Sequence, residues 1–305
     1  MARIVITGIA GCIGGWVARH VLDEGHEVIG LDVSPLGPNA DRLGLKDVPL
    51  EHVDVADRRA FREALLRARP DGIVHLVSLL VPSCKERPEL CVDVNVQSFM
   101  TVLEVAREMG CHASYASSAW VQRPSDGGQL VSEEDDVDPQ SLYGVFKLAN
   151  EGMARIYARD YGLRVNGLRP YIVYGPGREG GLTADVNLGL LSAARGEPYE
   201  IGFGGTVALH HVSDVARVFA RLALEPIEGG RVYGVRGSVC SMQEVVDTIH
   251  EVTGTSDLVT FREVPLPIAA NLSDEALQRD YGPVEFQDLR AGMAATLEMY
   301  RQPRR

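Results

Sequence analysis

The 305-residue chain is long enough for one large domain or for two smaller ones that share a core. Its 30 lysines and arginines against 42 acidic residues give a formal net charge of −12, which argues against a nucleic-acid partner because phosphate backbones attract basic surfaces. The five cysteines include no C-x-x-C pair, so reduced thiols in the cytoplasm are expected, without a disulfide framework or a metal site. No apolar run approaches the roughly 20 residues that span a bilayer, so no membrane partner is predicted.

Short apolar runs alternate with amphipathic segments in the first half of the chain. Strands are predicted at residues 3–7, 27–31, 51–54, 71–77 and 112–116, and helices at about 14–23, 58–69, 94–109 and 142–161. Strands that alternate with helices, each strand an apolar run, indicate a parallel sheet with helices on both faces. The predicted fold class is therefore α/β, with a doubly wound parallel sheet.

The second half of the chain is richer in glycine and proline beyond Arg169. Helices are predicted there only at 241–252 and 289–301. We expect a smaller, less regular C-terminal region of mixed structure that holds the substrate. The chain contains no internal repeat and no low-complexity linker, so both halves are expected to pack closely.

A glycine-rich turn, Thr7-Gly8-Ile-Ala-Gly11-Cys-Ile-Gly14, joins the first strand to the first helix. Glycine permits the tight turn and lets the backbone approach a pyrophosphate at the positive end of the helix. The position of this triplet, directly after a strand and before a helix, is typical of a Rossmann-type dinucleotide site. We expect residues 1–168 to form this domain, with later segments near 205–235 returning to it, and residues 169–305 to be mainly the substrate-binding region.

Asp32 ends the second strand and indicates which dinucleotide binds. A carboxylate at this place accepts hydrogen bonds from the adenine ribose hydroxyls and repels a 2′-phosphate. Residues 33–37 contain no arginine that would hold such a phosphate, and Arg42 is the nearby candidate for the opposite interpretation. The sequence therefore favours NAD over NADP.

Tyr143 and Lys147 lie one helical turn apart, on the same face of a predicted helix. A phenol is a poor base at neutral pH, but a nearby cation favours the phenolate and lowers the pKa of the phenol. Tyr143 is then able to take the proton of a substrate hydroxyl while hydride leaves the same carbon. The chain contains only three lysines, which makes a chance Y-x-x-x-K match less common, and an exposed helical pair is the alternative interpretation.

Ser117 and Ser118 follow the fifth strand, at the edge where open parallel sheets bind ligands. A hydroxyl at that edge is able to hydrogen-bond the reacting oxygen. The sequence has no G-x-S-x-G motif, so a serine hydrolase is not supported.

Together these features resemble the extended short-chain dehydrogenase/reductase family, the NAD-dependent epimerase/dehydratase group. The glycine turn, Asp32, the serine and the Y-x-x-x-K pair occur in the order and spacing of that family. Further matches extend over nearly the whole chain, at residues 52–56, 74–78, 93–96, 168–177, 211–216 and 288–293.

The resemblance implies roles by position. The catalytic set is Ser118, Tyr143 and Lys147. The expected NAD contacts are Gly8, Gly11, Cys12, Ile13, Gly14, Asp32, Asp54, Val55, Leu76, Val77, Ser78, Asn95, Ser117, Tyr143, Lys147, Tyr171, Ile172 and Val173. The expected substrate contacts are Ser118, Tyr143, Arg178 and Thr183, and a homodimer through the helices 94–109 and 142–161 is implied.

Several positions depart from the family pattern. Nucleotide-sugar enzymes of this type usually carry asparagine where Ile172 stands and an arginine for the diphosphate where Val207 stands. Ala119 and Trp120 occupy the positions of the acidic pair that sugar 4,6-dehydratases require, so dehydration is not expected. Residues 79–95 are partly similar to the threonine-dehydrogenase branch, which acts on a small free substrate.

The favoured function is an NAD-dependent dehydrogenase that acts on a hydroxyl-bearing carbon of a small polar or sugar-like substrate. The alternative is a nucleotide-sugar 4-epimerase with tightly bound NAD, which would use the same residues. A non-catalytic NAD-binding sensor is the third hypothesis, and the intact Ser118, Tyr143 and Lys147 argue against it.

Overall fold

A computed structural model of the chain describes residues 1–125, 129–132 and 137–301. Its first part follows the predicted alternation and adds three short helices, at Pro38–Arg42, Val81–Glu86 and Pro88–Val92. In chain order the elements are β1 (Arg3–Thr7), α1 (Cys12–Asp23), β2 (Glu27–Asp32), α2 (Pro38–Arg42), β3 (Leu50–His52), α3 (Arg58–Ala68), β4 (Gly72–His75), α4 (Val81–Glu86), α5 (Pro88–Val92), α6 (Ser98–Met109), β5 (His112–Ala116), α7 (Leu142–Tyr161) and β6 (Val165–Arg169).

The second part is more regular than the sequence indicates. The predicted helices 241–252 and 289–301 are present, but most other elements were missed because their apolar runs are short and interrupted by glycine and proline. The elements are β7 (Ile172–Tyr174), α8 (Asp185–Ala194), β8 (Tyr199–Ile201), β9 (Thr206–His211), α9 (Val212–Leu224), β10 (Val232–Gly234), β11 (Ser238–Ser241), α10 (Met242–Thr253), β12 (Val259–Phe261), α11 (Glu275–Tyr281) and α12 (Leu289–Arg301).

The main sheet has seven strands in the order β10-β6-β5-β4-β1-β2-β3. All of its strand pairs are parallel. The chain order runs outward from β1 in both directions, through β2 and β3 on one side and β4, β5 and β6 on the other. The order therefore reverses between β1 and β4, and in sheets of this kind ligands bind at that reversal, outside the carboxyl ends of the strands.

Both faces of the main sheet are covered, which explains why its strands are continuous apolar runs. Along β1, Ile4 and Ile6 face a core shared with α1 and α9, while Val5 faces the core of α3 and α6. All three side chains are fully buried. The alternation follows from the two-residue period of a strand, and the predicted α/β doubly wound fold is confirmed.

Two later elements return to the first part of the chain. Strand β10 pairs with β6 and extends the main sheet, and α9 packs against α1. The remaining segments form a three-stranded sheet, β11-β9-β7, and a β12-β8 pair around a separate apolar core. The division of the chain near residue 168 stays a prediction, which these elements support. No helix among the described residues is long and apolar enough to cross a membrane.

Candidate active site

A cleft of about 260 Å³ opens at the carboxyl ends of β1, β4 and β5, at the reversal of strand order. It is bordered by the glycine turn, the start of α7 and the loop after β7. The structure brings together at this cleft Gly8, Gly11, Cys12, Ile13, Gly14, Leu76, Ser78, Ser117, Ser118, Tyr143, Lys147, Tyr171, Val173, Arg178 and Thr183. Residues that are far apart in the sequence therefore meet in one place.

Each of the three glycines of the turn is needed for a different structural reason. Gly8 has a φ of +76°, which favours glycine. A Cβ on Gly14 would lie 2.1 Å from the Gly8 carbonyl oxygen, so the turn itself excludes a side chain there. A Cβ on Gly11 would meet, among the described residues, only the Gly8 oxygen at 3.1 Å. Gly11 therefore keeps the space above the start of α1 open.

Helix α1 presents its N-terminal end to this space. Gly11 is the N-cap residue, and it supplies no side chain to bond the first backbone N–H groups. The partial positive charge of the helix end and these N–H groups favour an anion. The open space above Gly11 and the uncapped end of α1 fit the pyrophosphate of a dinucleotide.

The Asp32 carboxylate is held beside the turn by two backbone N–H groups. One oxygen accepts from Ala10 at 3.0 Å and the other from Ser34 at 3.0 Å. Each carboxylate oxygen retains a lone pair for a ribose hydroxyl. The guanidinium of Arg42 lies over the Tyr300 ring, 4.7 Å from its centroid, instead of beside Asp32. These contacts fit NAD better than NADP.

Tyr143 and Lys147 point into the cleft from the first two turns of α7. Ser141 caps this helix by accepting a hydrogen bond from Gly144 N at 3.2 Å. The ammonium of Lys147 is buried, donates to the Ala116 carbonyl at 2.7 Å and lies 5.5 Å from the centroid of the Tyr143 ring. Ser118 also lines the cleft, and its Oγ accepts from Trp120 N at 3.3 Å.

The electrostatics of Tyr143 differ from the sequence prediction. Burial raises the pKa of the Tyr143 phenol, whereas a hydrogen bond from the Ser118 hydroxyl and the positive charge of Arg178 lower it less. The prediction that Lys147 lowers the pKa of Tyr143 below its ordinary value is therefore wrong for this structure. Burial also lowers the pKa of Lys147 to about 8. The cause in both cases is the cost of a charge away from water.

Ser117 is anchored behind the cleft wall. Its hydroxyl donates to the buried carboxylate of Glu151, which also accepts two hydrogen bonds from Arg169, at 2.8 and 2.7 Å. Glu151 lies one turn after Lys147 on α7, and Arg169 ends β6. This buried pair was not predicted from the sequence, because its two residues lie 18 positions apart on different elements. The pair ties α7 to β5 and β6 directly beneath Lys147.

Some predicted cofactor contacts do not line the cleft. Ile172 points away from it into the C-terminal core, because alternate residues of β7 face opposite sides and Tyr171 and Val173 take the cleft side. Val55 and Val77 pack in the core beside α3 and α6, and Asp54 is exposed and accepts from Ala56 N. None of these four side chains lines the cleft, and their contact with NAD stays a prediction.

Asn95 acts from behind the cleft wall and does not line it. It lies in a π-helical turn at Asp93–Gln97, which precedes α6 where the sequence predicted a continuous helix. Its amide accepts from Leu79 N at 2.8 Å and donates to the Leu79 carbonyl at 2.9 Å. The same amide oxygen accepts from the Ser78 hydroxyl at 3.3 Å. Asn95 therefore fixes the segment that follows β4, in which Ser78 lines the cleft.

The outer wall of the cleft is apolar and was not predicted. It is formed by Leu80, Val81, Pro82, Trp120 and Leu182. The Leu79-Leu80 pair and the tryptophan two residues after Ser118 were the available signals, but sequence periodicity does not tell which side of a loop faces a ligand. Val207, which stands where nucleotide-sugar enzymes were expected to carry an arginine, is fully buried in β9, so its position brings no positive charge.

Comparison with known proteins identifies the family. The model of the NAD dependent epimerase/dehydratase family matches residues 4–235, which is most of the chain. The chain belongs to this family. The predicted resemblance is thus confirmed, and the family's NAD-dependent enzymes agree with the predicted cofactor and enzyme class.

Individual members of the NAD dependent epimerase/dehydratase family show how far the similarity extends. Protein CapI of Staphylococcus aureus is 32% identical over 184 residues, which cover 57% of this chain and 55% of that protein, so the chain matches about half of its length. The UDP-glucose 4-epimerase of Mycolicibacterium smegmatis is 27% identical over 98% of both chains. The crystal structure of the Thermus thermophilus UDP-glucose 4-epimerase in complex with NAD superposes with a TM-score of 0.86 at 25% identity, covering 98% of this chain and 99% of that one.

Proposed function

We propose that this chain is an NAD-dependent dehydrogenase that oxidises a hydroxyl-bearing carbon of a small polar substrate or reduces the corresponding carbonyl. The observation that carries the proposal is the meeting of the glycine turn, Asp32 and the Ser118–Tyr143–Lys147 set at the reversal of strand order. Of the residues predicted to contact NAD, those that line the cleft or, like Asp32, flank the turn are the proposed cofactor site.

NAD would lie along the turn, with its pyrophosphate at the start of α1 and its adenine ribose at Asp32. When bound, NAD supplies the acceptor or donor of the hydride that leaves or joins the reacting carbon. Lys147 is proposed to hold the nicotinamide ribose, because its ammonium is fixed by Ala116 beside Tyr143.

Tyr143 is proposed as the acid–base group. During oxidation its Oη takes the proton of the substrate hydroxyl while the C–H bond breaks, and during reduction it returns that proton. In the free protein the Ser118 hydroxyl donates to Oη, which favours the phenolate, and with substrate bound it is proposed to hydrogen-bond the substrate oxygen instead.

A nucleotide-sugar 4-epimerase is the second candidate, favoured by the similarity to UDP-glucose 4-epimerases over 98% of the chain. An epimerase removes and returns hydride at one carbon, so it produces no net NADH. Ile172 in the C-terminal core and Val207 in β9 weigh against this candidate, since neither offers the polar contacts expected for a nucleotide diphosphate.

The test is a screen of purified protein against polyols, sugar acids, hydroxy amino acids and nucleotide sugars, followed by thermal shift and NADH absorbance. Net formation of NADH with a small alcohol supports the dehydrogenase. Copurified NAD and conversion of a UDP-sugar without net NADH supports the epimerase instead. Absence of NAD binding in a folded sample would contradict both.

A homodimer is part of the proposal. The exposed side chains of Leu142, Val145 and Ile156 form an apolar face along α7, where the family resemblance implies a helix-to-helix interface. Light scattering after size exclusion should give twice the chain mass, and Val145→Lys should give the monomer. We also propose a cytoplasmic location, in keeping with five free cysteines, and cell fractionation tests it.

A further inference from the structure

The loop after β7 carries an arginine whose charge is not matched within the protein. One Nη of Arg178 donates to Thr183 Oγ1 at 3.1 Å. Its Nε is buried and has no hydrogen-bond partner in the described part of the chain, and Arg178 forms no ion pair there. A guanidinium with an unsatisfied buried N–H is costly unless an anion completes its contacts.

The loop that carries Arg178 is fixed before any ligand binds. The buried amide of Asn187 accepts from Gly175 N at 3.1 Å and donates to the Arg178 carbonyl at 2.9 Å. Gly177 N donates to Tyr300 Oη at 3.1 Å, and Trp16 Nε1 donates to the Pro176 carbonyl at 3.1 Å. A loop held from both sides presents its arginine at little further entropic cost.

Arg178 and Thr183 both line the cleft that holds Tyr143. The charge of Arg178 reaches Tyr143 strongly enough to lower the pKa of its phenol. An anion bound to Arg178 would therefore belong to a molecule whose other end reaches Tyr143 and Ser118.

The surroundings indicate which anion fits. The guanidinium of an arginine is a planar group of N–H donors that matches a carboxylate, and Thr183 adds a hydroxyl beside it. The wall next to Arg178 is apolar, formed by Leu80, Trp120 and Leu182, so it offers no second cation for a diphosphate. Lys147, the other cation at the cleft, is held by the Ala116 carbonyl.

We propose that Arg178 and Thr183 form a carboxylate-binding subsite, and that the substrate is a hydroxy acid whose hydroxyl-bearing carbon lies at Tyr143. This inference rests on the proposed dehydrogenase function and names its substrate class. Arg178 binds the carboxylate, Thr183 adds a hydrogen bond, and Asn187 is a positioning residue that holds the loop.

The first arm of the test measures binding without turnover. Malonate is titrated into NADH-saturated protein and followed by the fluorescence of bound NADH and of tryptophan. Wild type should bind malonate. Arg178→Met should lower the affinity for malonate about 30-fold or more, since truncation of one partner of a buried charged pair has effects of this size. Thr183→Val should lower the affinity for malonate about 5-fold. Arg195→Met, which removes an exposed arginine paired with Glu197, is the matched control and should leave malonate binding unchanged.

The second arm compares substrates that differ only in the acid: glucuronate against glucose, galacturonate against galactose, and glycerate against glycerol. Wild type should turn over the acid of a pair with the higher kcat/KM, and Arg178→Met should lose that preference mainly through KM. Equal malonate binding by wild type and Arg178→Met would overturn the subsite.

The carboxylate subsite would also be overturned if Arg178→Met lost NADH affinity by the same factor as malonate affinity. The anion that Arg178 binds would then be the pyrophosphate of the cofactor. Failure of wild type to bind NADH is a separate result, which contradicts the proposed function. Malonate is then titrated without cofactor, and an Arg178-dependent affinity still supports the subsite.

Discussion

The two sides of the cleft are built in different ways. The turn side consists of the glycine turn, the start of α1 and Asp32, and it offers mainly backbone N–H groups, a helix end and one carboxylate. The loop side consists of residues 175–183 with Leu80, Val81, Pro82 and Trp120, and it offers side chains from separate segments of the chain. The turn side suits a constant ligand, and the loop side suits a ligand that varies between related enzymes.

The proposed catalytic residues lie between the two sides, and their removal is expected to have the largest effect. Tyr143→Phe deletes the proposed proton acceptor but keeps the ring that packs in the cleft. General acid–base groups contribute about 10² to 10⁴ in rate, so kcat should fall by about 10³ with NADH affinity within a few fold of wild type. Steady-state kinetics and NADH fluorescence titration measure both. A variant that kept most of its kcat would remove Tyr143 from the mechanism.

The buried Glu151–Arg169 pair beneath the cleft is expected to affect the stability of the protein and not its affinity for NAD. Glu151→Gln leaves the Arg169 guanidinium buried without its carboxylate, and loss of one partner of such a pair costs about 3–5 kcal/mol. Chemical denaturation should show a fall of that size in the free energy of unfolding. Glu63→Gln, which breaks an exposed pair with Arg59, is the control and should change stability by less than about 1 kcal/mol. Equal effects in the two variants would contradict the assignment.

The glycine turn allows the cofactor role to be separated from the folding role. Gly11→Val projects its side chain into the open space above α1, so the variant should fold normally while its affinity for NAD falls at least about 10-fold, the loss of about 1.4 kcal/mol. Gly14→Ala should lower the melting temperature, because its Cβ would lie 2.1 Å from the Gly8 oxygen. Calorimetry with NAD and thermal melts distinguish them. If Gly11→Val bound NAD as tightly as wild type, the pyrophosphate would not lie at the start of α1.

Substitution of Asp32 on the turn side tests whether the site prefers NAD to NADP. Asp32→Ala removes the proposed contacts to the ribose hydroxyls and should weaken NAD binding about 10-fold, whereas NADP should bind equally well or better without the repulsion. Asp23→Ala, which lies at the end of α1 and pairs with Arg19, is the control. A wild type that bound both cofactors with the same affinity would defeat this assignment.

Substitution of Lys147 should produce the smallest effect, which is a change in how protein stability depends on pH. Its pKa is lowered from 10.5 to about 8, so between these values the unfolded chain holds a proton that the native state has lost. Stability contributed by this group therefore rises with pH across that window, and the cost of burying the cation is present in full below about pH 8. The melting temperature of wild type relative to Lys147→Met should rise between those limits. A constant difference would show that the Lys147 ammonium stays charged throughout.

The comparison also explains what the sequence alone predicts. The turn side was predicted residue by residue, because a strand, a glycine turn and a helix are contiguous and their spacing fixes their geometry. Tyr143 and Lys147 were predicted because one helical turn separates them. The apolar wall and the Asn187 support were missed, since they depend on how α4, α8 and the loop after β7 pack against one another. The packing of Ile172 in the C-terminal core was also missed, because it depends on the alternation of β7.

The same reasoning applies to the pKa of Tyr143. Sequence spacing correctly places a cation near the phenol, but it contains no information about burial, which is the larger effect. Arg178 acts on the phenol from 35 positions away in the chain and was predicted only as a substrate contact. Electrostatics of a buried site are therefore settled by packing, and only the identity of its charged groups is available from the sequence.

The central claim is that the cleft performs net NAD-dependent oxidation or reduction with Tyr143 as the acid–base group. The most direct measurement is the NADH absorbance of wild type and Tyr143→Phe, each saturated with NAD and mixed with the hydroxy acids and nucleotide sugars of the screen. We predict that wild type forms NADH with a hydroxy acid while Tyr143→Phe, still able to bind NAD, does not. Interconversion of a UDP-sugar by wild type without any NADH formation would contradict the account.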